Sequence, residues 1–241
     1  MVLKVGDLVT SERGHTAIVV EYKNNREVTI EYPSGQKEVH QNVALVRGKF
    51  KDKGQPTYLG VGILGYDHTN SREQSYITWS NMLNRVYAPR SGKEEIYYGG
   101  CSVAEEWLYL QTFKKWFGSQ AYCNGYHLDK DLLNKGNKVY GPEFCVLLPQ
   151  EVNKFLSKAR RNRGKWPLGV SYMGCCGKWR SEISVGGKKV HLGLFKSVEE
   201  AFAAYKIAKE SEAKRLAAFW QSRVDPRAIE ALNRFEVQID D

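Results

Sequence analysis

Short strand-like segments, each closed by a turn former, occupy both ends of the chain, and amphipathic helical patterns fill the middle. That layout makes the chain α+β, assembled from small units. At the N-terminal end, Asp7–Thr10, Thr16–Tyr22, Glu27–Tyr32, Glu38–His40 and Ala44–Val46 are brief and rich in β-branched residues. Arg13-Gly14, Asn24-Asn25 and Pro33-Ser34-Gly35 separate them. Five such strands predict a small β-barrel over residues 1–48. The polar stretch that follows, from Gly48 to Pro56, reads as the start of a linker over 49–70.

Helical spacing sets in at Gln74–Tyr87, where Tyr76, Trp79, Met82, Leu83, Val86 and Tyr87 form one stripe and Pro89 ends the run. A second amphipathic run covers Ala104–Phe117. The pattern then changes: His127–Asp131 reads as a strand, a polar loop passes Asn134, Gly136 and Asn137, Cys145–Leu148 reads as a strand and Gln150–Ala159 as a helix. Strand, loop, strand, helix is the ββα order of a one-metal nuclease site, and it closes a region spanning 71–159.

Between Lys154 and Lys189 stand ten basic residues and one acid, Glu182. Such one-sidedness is costly unless a counter-charge arrives, and Trp166, Tyr172 and Trp179 offer stacking or packing surfaces among the cations. Residues 160–166 form a basic linker with Arg160, Arg161, Arg163 and Lys165. Three strand-like pieces follow (168–172, 179–185 and 189–195), with Gly186-Gly187 as a two-residue hairpin signal. Ser197-Val198-Glu199-Glu200 is a capping box, Glu200 being placed to reach the Ser197 amide, and it opens a helix to about Gln221. Pro226 separates that helix from a short helix and a strand-like acidic tail within 223–241.

The net charge, 36 − 27 = +9, favours a polyanionic partner, and the basic run makes nucleic acid the leading one. No run approaches the ~20 apolar residues of a bilayer span, and the N-terminus lacks an apolar signal core, so a membrane partner is not expected and the chain is expected in the cytoplasm. Five cysteines at irregular spacing, with no C-x-x-C, argue against disulfides and against a structural zinc.

Three stretches resemble known families. The N-terminal strands are similar to SH3 or KOW modules, which bind proteins or nucleic acids. Gly169-Val170, Gly177–Ile183, His191–Phe195, Ser197–Ala201 and Ala204-Tyr205 follow the AP2 DNA-binding domain over 167–222. That resemblance implies a three-stranded antiparallel sheet laid in the major groove of double-stranded DNA with a helix behind. It places Tyr172, Lys178, Trp179, Arg180, Glu182, Ser184, Lys188 and His191 towards bases or phosphates, with Lys189 a further phosphate contact. Plant members usually carry Arg where Ser171 and Ser184 stand, so the base readout implied here is looser.

Trp79–Tyr87, Cys101–Trp107, His127–Asp131, Gly136-Asn137, Tyr140–Glu143 and Asn153 resemble the HNH-like endonucleases of bacteriophages, including homing nucleases. The tail from Asp225 to Leu232 fits the same group. The resemblance implies His127 as general base, Asn153 and a carboxylate from Asp129 or Asp131 as metal ligands, and one Mg²⁺ or Mn²⁺ ion. It departs at Tyr126, where active members carry Asp or His, and at Phe144, where an asparagine usually pins the loop. The function expected from all this is a phage-type DNA-binding endonuclease that nicks or cuts duplex DNA, working in the host cytoplasm. The alternatives are a DNA-binding regulator on a degenerate nuclease core, and an adaptor or inhibitor of a host enzyme that binds a protein through the barrel.

Overall fold

A computed structural model of the chain describes residues 1–120, 125–156 and 165–240, with Lys93 by its backbone alone. The chain is α+β with several small sheets. Its first sheet is an antiparallel meander of β1 (Leu8–Thr10), β2 (Thr16–Asn24), β3 (Glu27–Glu31) and β4 (Lys37–His40). Strand alternation turns Val9, Ala17, Val19, Val28 and Ile30 inward and leaves Leu8 and Ile18 outside.

The fifth strand does not form. Ala44–Val46 belongs to helix α1 (Asn42–Val46), which buries Leu45 and exposes Val43 and Val46. Lys49 N–H donates to Ala44 O and Gly48 N–H to Leu45 O, the paired closure of a Schellman end, with Gly48 at φ +64°. A glycine placed to terminate a helix thus outweighs the β-branched composition ahead of it.

Residues 49–70 are folded rather than a free linker. Phe50 enters the first core and Asp52 is buried, accepting hydrogen bonds from Gly54 N–H (2.9 Å) and from the Tyr66 hydroxyl. A small hairpin, β5 (Pro56–Tyr58) and β6 (Gly62–Ile63), carries the chain to the second core, which Tyr58 and Leu64 help to cover.

That core is aromatic. Helix α2 (Gln74–Tyr87) contributes Trp79, Met82 and Leu83. Helix α3 (Gly92–Tyr98), which apolar periodicity does not reveal, begins with an N-cap: Ser91 Oγ accepts from Glu94 N–H, while Glu94 Oε2 accepts from Arg90 N–H, one residue before the cap. The run expected over 104–117 is two helices, α4 (Glu105–Leu108) and α5 (Leu110–Ser119). Tyr109 turns extended between them and bridges Ile63. Trp79 Nε1 donates to Trp107 O at 2.8 Å, so the two indoles that anchor this core are also tied by a satisfied polar group.

Two ribbons complete the middle. β7 (Ser102–Val103) pairs in parallel with β9 (Val139–Tyr140), and β8 (His127–Asp129) pairs antiparallel with β10 (Val146–Leu148), after which α6 (Gln150–Leu156) folds back. Leu128 and Leu147 face the aromatic core, whereas Val146 and Leu148 face a third core with Val152 and Phe155 of α6.

The C-terminal sheet orders β11 (Val170–Met173), β12 (Lys178–Val185) and β13 (Lys188–Phe195) antiparallel. Gly186 and Gly187, at φ +56° and +80°, make its tight turn. Helix α7 (Val198–Trp220) starts at Ser197, whose hydroxyl accepts from Glu200 N–H. Glu200 itself reaches Lys196 N–H, one residue before the amide expected. The first half of α7 buries Ala201, Phe202 and Tyr205 against Val170 and Ile183. Its second half buries Ala213, Leu216 and Ala217 in the third core, joined by Ala228 and Leu232 of α8 (Pro226–Asn233). One helix, about 35 Å long at 1.5 Å per residue, is therefore shared by two cores. The tail forms no strand; Val237 is buried beside Tyr205 and held by Glu210 and Lys206. No helix among the described residues is long and apolar enough to cross a membrane.

Candidate functional site

Strand alternation puts His127 and Asp129 on the same face of β8, opposite Leu148 and Val146 of β10. Helix α6 packs on that face and brings Asn153 to the same cleft, of about 430 Å³. His127, Asp129 and Asn153, separated widely in sequence, thus line one pocket. Residues that sequence reasoning passed over line it too: Asn81 and Arg85 from α2, and Tyr98 from α3. Asn81 and Arg85 lie off the inward stripe of α2 that its apolar spacing marks. Arg85 lies over the Tyr98 ring, 5.6 Å from its centroid.

His127 is solvent-exposed, as a base that must meet a water requires. Asp129 Oδ1 accepts from Asp131 N–H (3.0 Å) and Leu132 N–H (2.8 Å), which fixes the carboxylate and leaves Oδ2 without a hydrogen-bond partner among the described residues. Burial pushes the Asp129 carboxyl above its ordinary range, opposed by those two amides. Asp131, the alternative carboxylate, is engaged by Lys130 Nζ at 2.7 Å. Buried Lys130 also donates to Asn137 O, while Asn137 Nδ2 donates to Lys130 O and Val139 O, closing the loop after β8.

The donors suit a hard divalent cation: one carboxylate and one amide oxygen match ions such as Mg²⁺ that keep several waters. Among the described residues no group of three or more His, Cys, Asp and Glu comes together. Tyr126 explains part of that. Its hydroxyl donates to Arg223 O at 3.1 Å and its ring meets Trp220 edge-on, so the position before His127 docks the end of α7 and the turn after it.

In the C-terminal sheet, pairing sorts the expected DNA contacts onto two faces. Lys178, Arg180, Glu182 and Ser184 share the open face of β12, with Lys189 and His191 opposite Ser184 and Glu182 on β13. Trp179 lies on the other side, in the core beneath α7, where its ring meets Trp166 and Tyr172 at centroid distances of 4.3 and 5.0 Å. Tyr172 and Lys188, paired with Trp179 and Val185, share that side. Side chains one residue apart along a strand point to opposite faces, so these three lie away from Arg180 and Lys189. Arg180 is held by Ser171 Oγ (3.2 Å) and Glu182 (3.4 Å).

Lys165 is exposed beside Trp166, whereas Arg160, Arg161 and Arg163 lie outside the described residues. A groove of about 2300 Å³ runs between the sheet and the ββα unit; Arg180, Ser184 and Lys189 line one wall, and Asp129, Asn153 and Lys154 the other. Asp129 and Asn153 border both the groove and the smaller cleft.

No family model, no curated protein and no solved structure matches this chain.

Proposed function

We propose that this chain is a DNA-binding, HNH-like endonuclease of phage type whose AP2-like sheet holds duplex DNA beside a ββα cleft. The observation that carries this reading is the meeting of His127, Asp129 and Asn153 in a cleft that opens into the groove lined by Arg180 and Lys189. His127 takes the proton of the attacking water; its exposure gives that water access. Asp129 and Asn153 would hold a Mg²⁺-class ion, whose chemistry is to neutralise charge on the scissile phosphate and the leaving 3′ oxygen. Arg85 supplies a further fixed positive charge at the cleft wall. The N-terminal sheet, SH3- or KOW-like in this reading, is the surface left for a protein partner.

A second reading is favoured by Tyr126, which serves packing where a metal ligand would be expected. In it the chain occupies DNA without cutting it and acts as a regulator. Supercoiled plasmid incubated with the protein and Mg²⁺ or Mn²⁺, beside EDTA controls, separates the two: metal-dependent open circles support the nuclease, and tight binding without them supports the regulator.

Both readings share an expected result for the sheet. Lys189→Ala, which removes an exposed cation from the open face, weakens binding to all duplexes alike and flattens the salt dependence by about one unit of slope. Arg180→Ala costs about 1–3 kcal/mol and relaxes sequence preference. Titrations of labelled duplex at several salt concentrations measure both, and unchanged slopes in the two variants would remove the sheet from the interface.

A further inference from the structure

The C-terminal segment grips the cleft unit from behind at three places. Arg223 O accepts from Tyr126, which precedes His127. Glu151 of α6 accepts from Trp220 Nε1 at 3.1 Å and from Arg215 Nη2 at 3.2 Å. The third grip is the most elaborate: Arg227 Nη1 donates to Pro142 O and Glu143 O, both at 3.1 Å, and Nη2 to Cys145 O at 3.4 Å.

We propose that Arg227, steered by Asp225, is a positioning residue that sets the loop ahead of β10 and thereby the register of β10 against His127. This rests on the endonuclease reading. Residues 141–145 join β9 to β10, and three of their carbonyls converge on one point. Converging carbonyl dipoles repel unless a donor stands between them, and the planar five-donor guanidinium answers all three while Nε remains for a carboxylate. Asp225 takes that role. It caps α8 through Arg227 N–H (2.8 Å), and its two oxygens accept from Nε and Nη2 of the same side chain, the latter at 2.7 Å.

The consequence reaches the chemistry through β10. Leu148 lies opposite His127 and Val146 opposite Asp129, so a loop that drifts lets β10 slide and separates the base from its neighbours. Asn137 already closes the other end of the excursion, at Lys130 and Val139. Arg227 supplies the matching closure from a helix more than eighty residues further along the chain. The sheet that would bind DNA is untouched by this contact, so turnover and affinity respond differently.

The experiment uses the full chain with Arg227→Gln and Arg227→Lys, and Arg26→Gln as a control, since Arg26 is an exposed arginine in the turn between β2 and β3 that lines neither the groove nor the cleft. Two quantities are measured: hydrogen exchange of peptides covering 141–148, and steady-state nicking of supercoiled plasmid with Mg²⁺. The expected result for Arg227→Gln is faster exchange confined to 141–148 and a kcat lowered roughly 10- to 100-fold, with KM unchanged. Arg227→Lys does not restore kcat, because an ammonium cannot span three carbonyls and a carboxylate; Arg26→Gln changes nothing. Wild-type exchange and kcat in Arg227→Gln overturn the proposal, as does faster exchange spread over the whole chain. If the wild type itself does not nick, the endonuclease reading falls, and the exchange arm decides the clamp alone: selective exposure of 141–148 supports it and none overturns it.

Discussion

Replacing His127 with alanine lowers metal-dependent plasmid nicking by about 10²–10⁴-fold, the usual contribution of a positioned general base, and leaves duplex affinity where it was. The separation of the two effects follows from position. His127 stands exposed on β8 and its ring makes no hydrogen bond with the described residues, so its truncation opens no cavity and orphans no partner among them. Exposed substitutions of that kind stay within about 0.5 kcal/mol of wild-type stability. The open face of the sheet, with Arg180 and Lys189, belongs to a different unit and keeps its contacts. Initial rates of open-circle formation, measured beside salt-dependent binding of the same duplex, give both numbers in one preparation. Nicking that survives in the variant would move the base elsewhere in the cleft. Affinity lost together with nicking would mean that β8 has been disturbed.

Gly169→Ala destabilises the C-terminal unit by about 2–5 kcal/mol. Two costs add. The residue sits at φ +73°, where a Cβ carries roughly 1–2 kcal/mol of strain. That Cβ would also lie 2.0 Å from Tyr205 Cδ2 and 2.4 Å from Cε2, and Tyr205 is buried against Phe202, so the ring has nowhere to retreat. Forcing extra volume into a packed core typically costs a further 1–3 kcal/mol. The carbonyl of Gly169 accepts from Glu182 N–H at 2.8 Å, so displacement of the strand entry also strains β12 and the open face it presents. Urea denaturation read from tryptophan fluorescence should show the loss as an earlier midpoint, with duplex affinity falling in parallel. A midpoint within about 1 kcal/mol of wild type would mean that α7 can shift away from the sheet at little cost.

Local signals in the sequence were read well where the physics is local. Short β-branched runs between turn formers located β1 to β4, a single apolar stripe located α2 to its end residues, and the Gly186-Gly187 turn and Ser197 cap located the last hairpin and helix. A family resemblance, not the order of elements, singled out His127, Asp129 and Asn153, and the three line one cleft. What escaped was decided by distant partners. Tyr109 breaks a helix because Ile63 lies beside it, and Asp52 is buried because Tyr66 meets it. Arg85 reached the cleft from the polar side of a helix whose apolar side was the only one with a pattern. Trp179 lies on the face opposite Lys178 and Arg180, as alternation along β12 requires, with its ring against the core beneath α7.

The sharing of α7 between two cores bears on the order in which the protein matures on the ribosome. The meander and the aromatic core draw their buried residues from positions up to 147 and can settle as soon as those have emerged. The wall behind the cleft cannot, because Val146, Leu148 and Val152 wait for Ala213, Leu216, Ala217, Ala228 and Leu232. The same stretch of late-made chain completes the sheet's own core through Val237. A nascent chain therefore completes the core of its C-terminal sheet and the backing of its cleft in one final step, and translation that stops before residue 213 leaves both unfinished.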